Sequence, residues 1–74
     1  MNESYAPECL VECIENGNIV QASVERFDKG NYLSVYMNTV KVNLQYDPKV
    51  KVYIGSMAGL EFMSAGPKLL GHYR

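Results

Sequence analysis

From Tyr32 to Tyr46 apolar and polar residues alternate, and that alternation changes parity once. Leu33, Val35 and Met37 form the apolar set first; beyond Asn38-Thr39 the set is Val40, Val42, Leu44 and Tyr46. Neighbouring side chains on a strand point to opposite faces, so one uninterrupted strand cannot move its apolar residues from odd to even positions. The parity change predicts a tight hairpin at Asn38-Thr39 whose two strands share an apolar face.

The same pattern of short alternating stretches and turn residues fills the rest of the chain. Pro7 precedes a first strand from Cys9 to Glu15, and Asn16-Gly17 follows as a hairpin of type I′, the turn in which both residues take positive φ. A second strand runs from about Asn18 to Arg26 with Val20, Ala22 and Val24 on one face, and residues 27–31 read as a turn or loop. Asp47-Pro48-Lys49 makes the next turn. Val50, Val52 and Ile54 are then read as the apolar face of a fifth strand. Residues 55–59 connect to a last short strand from Leu60 to Met63, broken by Gly66-Pro67. Residues 68–74 form a tail that either docks, with room for one helical turn, or stays flexible.

Short strands that each have one apolar face bury themselves best by curling. The expected fold is all-β: a small antiparallel β-barrel of five to six strands, or a strongly twisted barrel-like sheet, forming one domain over residues 1–74. Its expected core is Val20, Ala22, Val24, Leu33, Val35, Val40, Val42, Val50, Val52, Ile54, Leu60 and Phe62. Seventy-four residues bury only a modest core, which favours extra burial against a partner.

Charge gives no global attraction to nucleic acid or anionic membrane, because the net is −1. Its distribution is uneven. Residues 1–28 hold six acids and one base, whereas residues 29–74 hold two acids and six bases. Either the two halves neutralise each other across one sheet, or copies associate head to tail.

Catalysis has little to stand on. Cys9 and Cys13 lie roughly 13 Å apart along a strand, too far for a disulfide, and read as small core residues. His72 is the sole histidine and sits near the end of the chain. C-x3-C with one distant histidine is not a zinc set, and no glycine spacing cradles a phosphate. The chain is therefore expected to be no enzyme and to need no cofactor or metal. The opening residues Met-Asn-Glu-Ser-Tyr are polar with no apolar segment behind them, so a cytoplasmic setting without a membrane partner is expected.

Binding remains. Two surfaces are candidates: an interface of Tyr32, Tyr36, Met57 and Met63, serving a second copy or another protein, and a nucleic-acid face of Lys41, Lys49, Lys51 and Tyr53. A third reading, a small thiol enzyme, needs a depressed pKa at Cys9 or Cys13.

Two family likenesses bear on these choices. Gly17-Asn18-Ile19-Val20, the loop ending at Gly30 before Tyr32-Leu33-Ser34-Val35, and Gly59-Leu60-Glu61-Phe62 resemble PilZ-type β-barrels in order. No Arg-x3-Arg precedes the first strand, and Phe27-Asp28-Lys29-Gly30 lacks the serine of Asp-x-Ser-x2-Gly. The resemblance thus implies a barrel and an adaptor role without cyclic-di-GMP binding. The segment from Cys13 to Val42, through Asn16-Gly17, Gln21-Ala22, Glu25-Arg26-Phe27-Asp28 and Asn38-Thr39-Val40, resembles the first motif of Sm-like and Hfq-type barrels. That likeness implies RNA as the alternative partner, although the uridine-pocket residues are absent. The leading expectation is a self-associating protein-interaction module.

Overall fold

Each alternating stretch becomes a strand in the structure, a computed structural model that describes residues 2–73. The strands are β1 (Asn2–Tyr5), β2 (Glu8–Cys13), β3 (Ile19–Asp28), β4 (Tyr32–Met37), β5 (Val40–Asp47), β6 (Val52–Met57), β7 (Leu60–Ser64) and β8 (Leu69–Tyr73). Strands β2 to β7 follow one another as antiparallel neighbours and close into a six-stranded barrel. No helix occurs among the described residues.

Closure rests on a short seam between β2 and β7. Glu12 pairs with Met63 and Cys13 with Phe62, and the Ile14 amide donates to the Glu61 carbonyl at 2.8 Å. Beyond Met63 the ladder stops, and the Ser64 hydroxyl continues it by donating to the Leu10 carbonyl at 2.6 Å. Cross-strand partners run round the barrel from Ile19 through Glu12, Met63, Ile54, Gln45 and Tyr32. They return to β3 at Asp28 instead of Ile19. This stagger is the shear that lets tilted strands close on a filled interior.

Two local devices set which residues point inward. On β3, Val24 pairs with Val35 and Arg26 with Ser34, so Glu25 is an extra, bulged residue. The bulge shifts the inward parity from Ala22 and Val24 to Phe27, and β3 continues through Phe27 and Asp28, which the sequence had suggested were a loop. On β6 the inward residue is Tyr53, which is buried, while Val52 and Ile54 are only half-buried on the outer side and Val50 lies in the turn. The expected inward face of Val50, Val52 and Ile54 is therefore off by one residue. Gly55 explains why: a Cβ there would lie 2.1 Å from the Asn43 carbonyl oxygen, so only glycine fits where β6 crosses β5.

The core consists of Cys9, Val11, Cys13, Ala22, Leu33, Val35, Val42, Leu44, Tyr53 and Phe62. Val24, Phe27, Met37, Tyr46 and Met57 pack against it. Val20, Val40, Val50 and Leu60, expected in the core, are exposed.

The hairpins also differ from expectation in detail. At Asn38-Thr39 the two-residue turn is present, with positive φ at Asn38 alone, as in type II′. At Asn16-Gly17 only Gly17 has positive φ. Cys13 and Asn18 close a four-residue loop through Cys13 N to Asn18 O, 2.8 Å, and Asn16 Oδ1 accepts from Asn18 N. That loop replaces the expected type I′ turn.

Outside the barrel, β1 and β8 form a two-stranded antiparallel ribbon, with Asn2 opposite Tyr73 and Tyr5 opposite Leu69. The tail thus docks as a strand, not as a helical turn. The ribbon is extended by Ala6 N donating to the Lys68 carbonyl at 2.9 Å, and it is tied to the barrel by Tyr5, whose ring meets Phe27 of β3 edge-on at 4.9 Å.

Candidate functional site

An up-and-down barrel has two poles, and here they are built differently. At one pole lie the hairpins around Gly17, Asn38-Thr39 and Ala58-Gly59. At the other lie the turns around Gly30 and Val50, together with the ribbon. We call these the hairpin pole and the ribbon pole.

At the ribbon pole aromatic rings close the barrel. Phe27 meets Tyr53 at 5.6 Å and Tyr46 meets Tyr53 at 5.0 Å. The Tyr53 hydroxyl accepts a hydrogen bond from the Gly30 amide at 2.8 Å, which satisfies its polar end while its ring is buried. Gly66 packs over the rings at 3.3 Å and 3.4 Å from Tyr53 and Phe27, as measured from a Cβ position. A cleft of about 380 Å³ with Lys29 and Lys51 at its edge remains beside them.

At the hairpin pole no such cap exists among the described residues. By strand parity the last inward-pointing residues are Val20 on β3, Met37 on β4, Val40 on β5, Met57 on β6 and Leu60 on β7. Met37 and Met57 lie against the core, but Val20, Val40 and Leu60 are 41%, 43% and 39% exposed. They form an apolar mouth above the buried Val11, Val42 and Phe62. Its rim is acidic: the Glu15 carboxylate, through Oε1, accepts from the Glu61 amide at 3.0 Å. Nearby, Lys41 Nζ forms an ion pair with Glu25 at 3.0 Å, which neutralises both.

The structure does not assemble the expected nucleic-acid face. Lys41 stands at the hairpin-pole end of β5, whereas Lys49 and Lys51 lie in the turn beyond its other end, about 25 Å away at strand rise. Tyr53 points into the core and cannot stack with a base. The expected interface is likewise divided. Tyr32 and Tyr36 are exposed on the outer face of β4, Met63 lies on the outer face of β7, and Met57 faces inward at the mouth.

Met63 does border a second apolar feature, a groove of about 540 Å³ that includes the exposed Leu10 and Ile19. It opens where β7 leaves β2 beyond Ser64. Sequence reasoning placed Val20, Val40 and Leu60 in the core and so missed the mouth. Their positions beside hairpin turns carried the signal, because the inward residue nearest a turn is covered from one side only.

Cys9 and Cys13 both belong to the core. Both are unpaired and buried. Burial pushes the Cys9 thiol pKa up, with the Ser64 hydroxyl hydrogen bond opposing that shift, and Ser64 Oγ lies 3.7 Å from Cys9 Sγ. A raised pKa reduces the thiolate fraction, the opposite of what a thiol nucleophile needs. His72 belongs to β8, whose partner is β1 and not the cysteine-bearing β2. Among the described residues no three His, Cys, Asp or Glu side chains come together as a metal site. No described helix is long and apolar enough to cross a membrane. Comparison of the chain with protein-family models, curated proteins and solved structures finds no match.

Proposed function

We propose that this domain is a non-enzymatic protein-interaction module that docks an apolar element of a partner protein on the open mouth at the hairpin pole. The exposure of Val20, Val40 and Leu60 on an otherwise inward-facing ring carries this reading. Covering the exposed parts of these side chains is worth about 1 kcal/mol each at 25 cal/mol per Å². That is a useful gain for a domain whose own core is small. The rim acids add a preference for a partner with basic residues flanking its apolar tip.

This is the adaptor role expected from the PilZ-type likeness, exercised without a nucleotide. The RNA-binding alternative loses support, because its three lysines share no face and its tyrosine is buried.

Site-specific photo-crosslinking in cells tests the reading. A benzophenone side chain replacing Leu60 at the mouth should give discrete protein adducts. The same group replacing Gln45, exposed on the outer wall of β5, should give none. Adducts at Gln45 but not at Leu60, or none at either, would refute it.

A further inference from the structure

We propose that the occupant of the mouth is a second copy of this chain, which inserts the Lys49-Val50-Lys51 tip of its β5–β6 turn. This inference rests on the reading of the mouth as a docking surface and specifies what docks there.

The tip has the chemistry the mouth requires. Val50 is 57% exposed at the far end of the molecule, between two lysines that are themselves exposed. The turn is held in shape before any partner arrives. Pro48 fixes one φ, Asp47 Oδ1 accepts from the Lys49 amide at 2.9 Å, and the Asp47 carbonyl accepts from the Lys51 amide at 2.7 Å. Neither lysine is engaged in an ion pair among the described residues, where the Lys41–Glu25 pair is the one found. An apolar tip between two ammonium groups thus faces an apolar mouth whose rim carries the Glu15 carboxylate, with Glu61 next to Leu60 on the outer side of β7.

Geometry then decides the kind of assembly. Tip and mouth lie at opposite poles, so one copy's tip in the next copy's mouth is a heterologous, head-to-tail contact. Repetition of that contact gives a chain, or a ring if the rotation closes. A two-fold mouth-to-mouth dimer would instead bring the Glu15 carboxylates of both copies together, a like-charge contact that disfavours it.

The experiment uses two complementary variants in sedimentation velocity at about 100 μM, a concentration suited to micromolar association. The double variant Lys49→Glu with Lys51→Glu spoils the tip and leaves the mouth intact. The double variant Leu60→Lys with Glu61→Lys spoils the mouth and leaves the tip intact. Wild-type protein should form species larger than a dimer that dissociate as salt is raised. Each variant alone should sediment as a monomer, with at least about a tenfold loss in association constant. Mixed together, they should associate at least as a 1:1 heterodimer, because the intact tip of one fits the intact mouth of the other.

Circular dichroism melts of both variants establish that they fold. Val50→Ser, at an exposed turn position, provides a second tip variant without charge reversal and should also weaken association. A monomeric wild type, a variant that still self-associates, or a mixture that stays monomeric would overturn the proposal. If wild type is monomeric while the Leu60 cross-linker captures other proteins, self-association falls and docking at the mouth stands. If wild type associates unaffected by Leu60→Lys with Glu61→Lys, and the Leu60 cross-linker gives no adducts, both readings fall.

Discussion

Replacing Gly55 by alanine should be among the most damaging single-methyl changes in this domain. The added Cβ would meet the Asn43 carbonyl oxygen at 2.1 Å, its carbonyl carbon at 3.0 Å and Leu44 Cδ2 at 2.9 Å. Two of those three atoms are backbone, so no rotamer change removes the clash, and β5 and β6 must part by about 1 Å to restore van der Waals distance. The strands are joined just there by Gln45–Ile54, Tyr46–Tyr53 and Asp47–Val52. Tyr53 also holds the Gly30 turn. Overpacking of this kind costs about 3 kcal/mol at the upper end of its usual range. Alanine's lower unfolded-state entropy returns somewhat less than 1 kcal/mol.

A net loss of about 2–3 kcal/mol is a large share of the roughly 4–11 kcal/mol available to a chain of this length. It corresponds to a fall in Tm of about 10–20 °C. Thermal and urea unfolding followed by circular dichroism measure it. Gly17→Ala is the matched control: Gly17 has open space around it but φ of +74°, so that variant carries only the left-handed backbone cost of about 1–2 kcal/mol. If Gly55→Ala costs less than Gly17→Ala, or less than about 1 kcal/mol, the close crossing of β5 and β6 is not as described.

Further outcomes follow from other residues. Tyr53→Phe removes the acceptor of the Gly30 amide and should cost about 1 kcal/mol, with faster hydrogen exchange at that amide by NMR. Ala58→Asn should stabilise by about 1 kcal/mol in the same melts, because Ala58 has φ of +56° and Asn-Gly suits a hairpin with two positive φ values. Since folding raises the Cys9 pKa, the protonated thiol is favoured in the folded state. Its stabilisation is complete below the unfolded thiol pKa and fades as pH rises through the folded one. Urea midpoints measured on either side of the ordinary thiol pKa should therefore fall more steeply with pH in wild type than in Cys9→Ala.

Much of the barrel was legible because one rule, parity, governs both the sequence and the sheet. The switch at Asn38-Thr39 located a hairpin that the structure contains. The same rule failed where the sequence hides its exceptions. Val50, Val52 and Ile54 alternate as well as any core face, yet the close approach at Gly55 and the hydrogen bond to Tyr53 put the odd positions inside. Glu25 gives no local sign that it is a bulge, so Phe27 and Asp28 could not be assigned to β3. The ribbon was invisible for another reason: Asn2–Tyr5 and Leu69–Tyr73 lack alternation and find each other only through contacts distant in sequence. At the mouth, apolar residue type was legible but its position near the open end was not.

The bulge at Glu25 also bears on how the chain can change length. A strand at the margin of an open sheet can slide to absorb an inserted or deleted residue, but β3 is held on both sides within a closed circuit. Deleting Glu25 would remove the bulge and leave Ala22, Val24 and Phe27 on one face, with Val24 and Phe27 still opposite Val35 and Leu33 on β4. Inserting a residue elsewhere in β3 turns the segment beyond it to the other face unless a second bulge absorbs it. The hairpin loops accept such changes at the modest cost of loop closure. Variation in length should therefore be found in the turns and, within Ile19 to Asp28, at the bulge, where one residue can be lost without moving a partner.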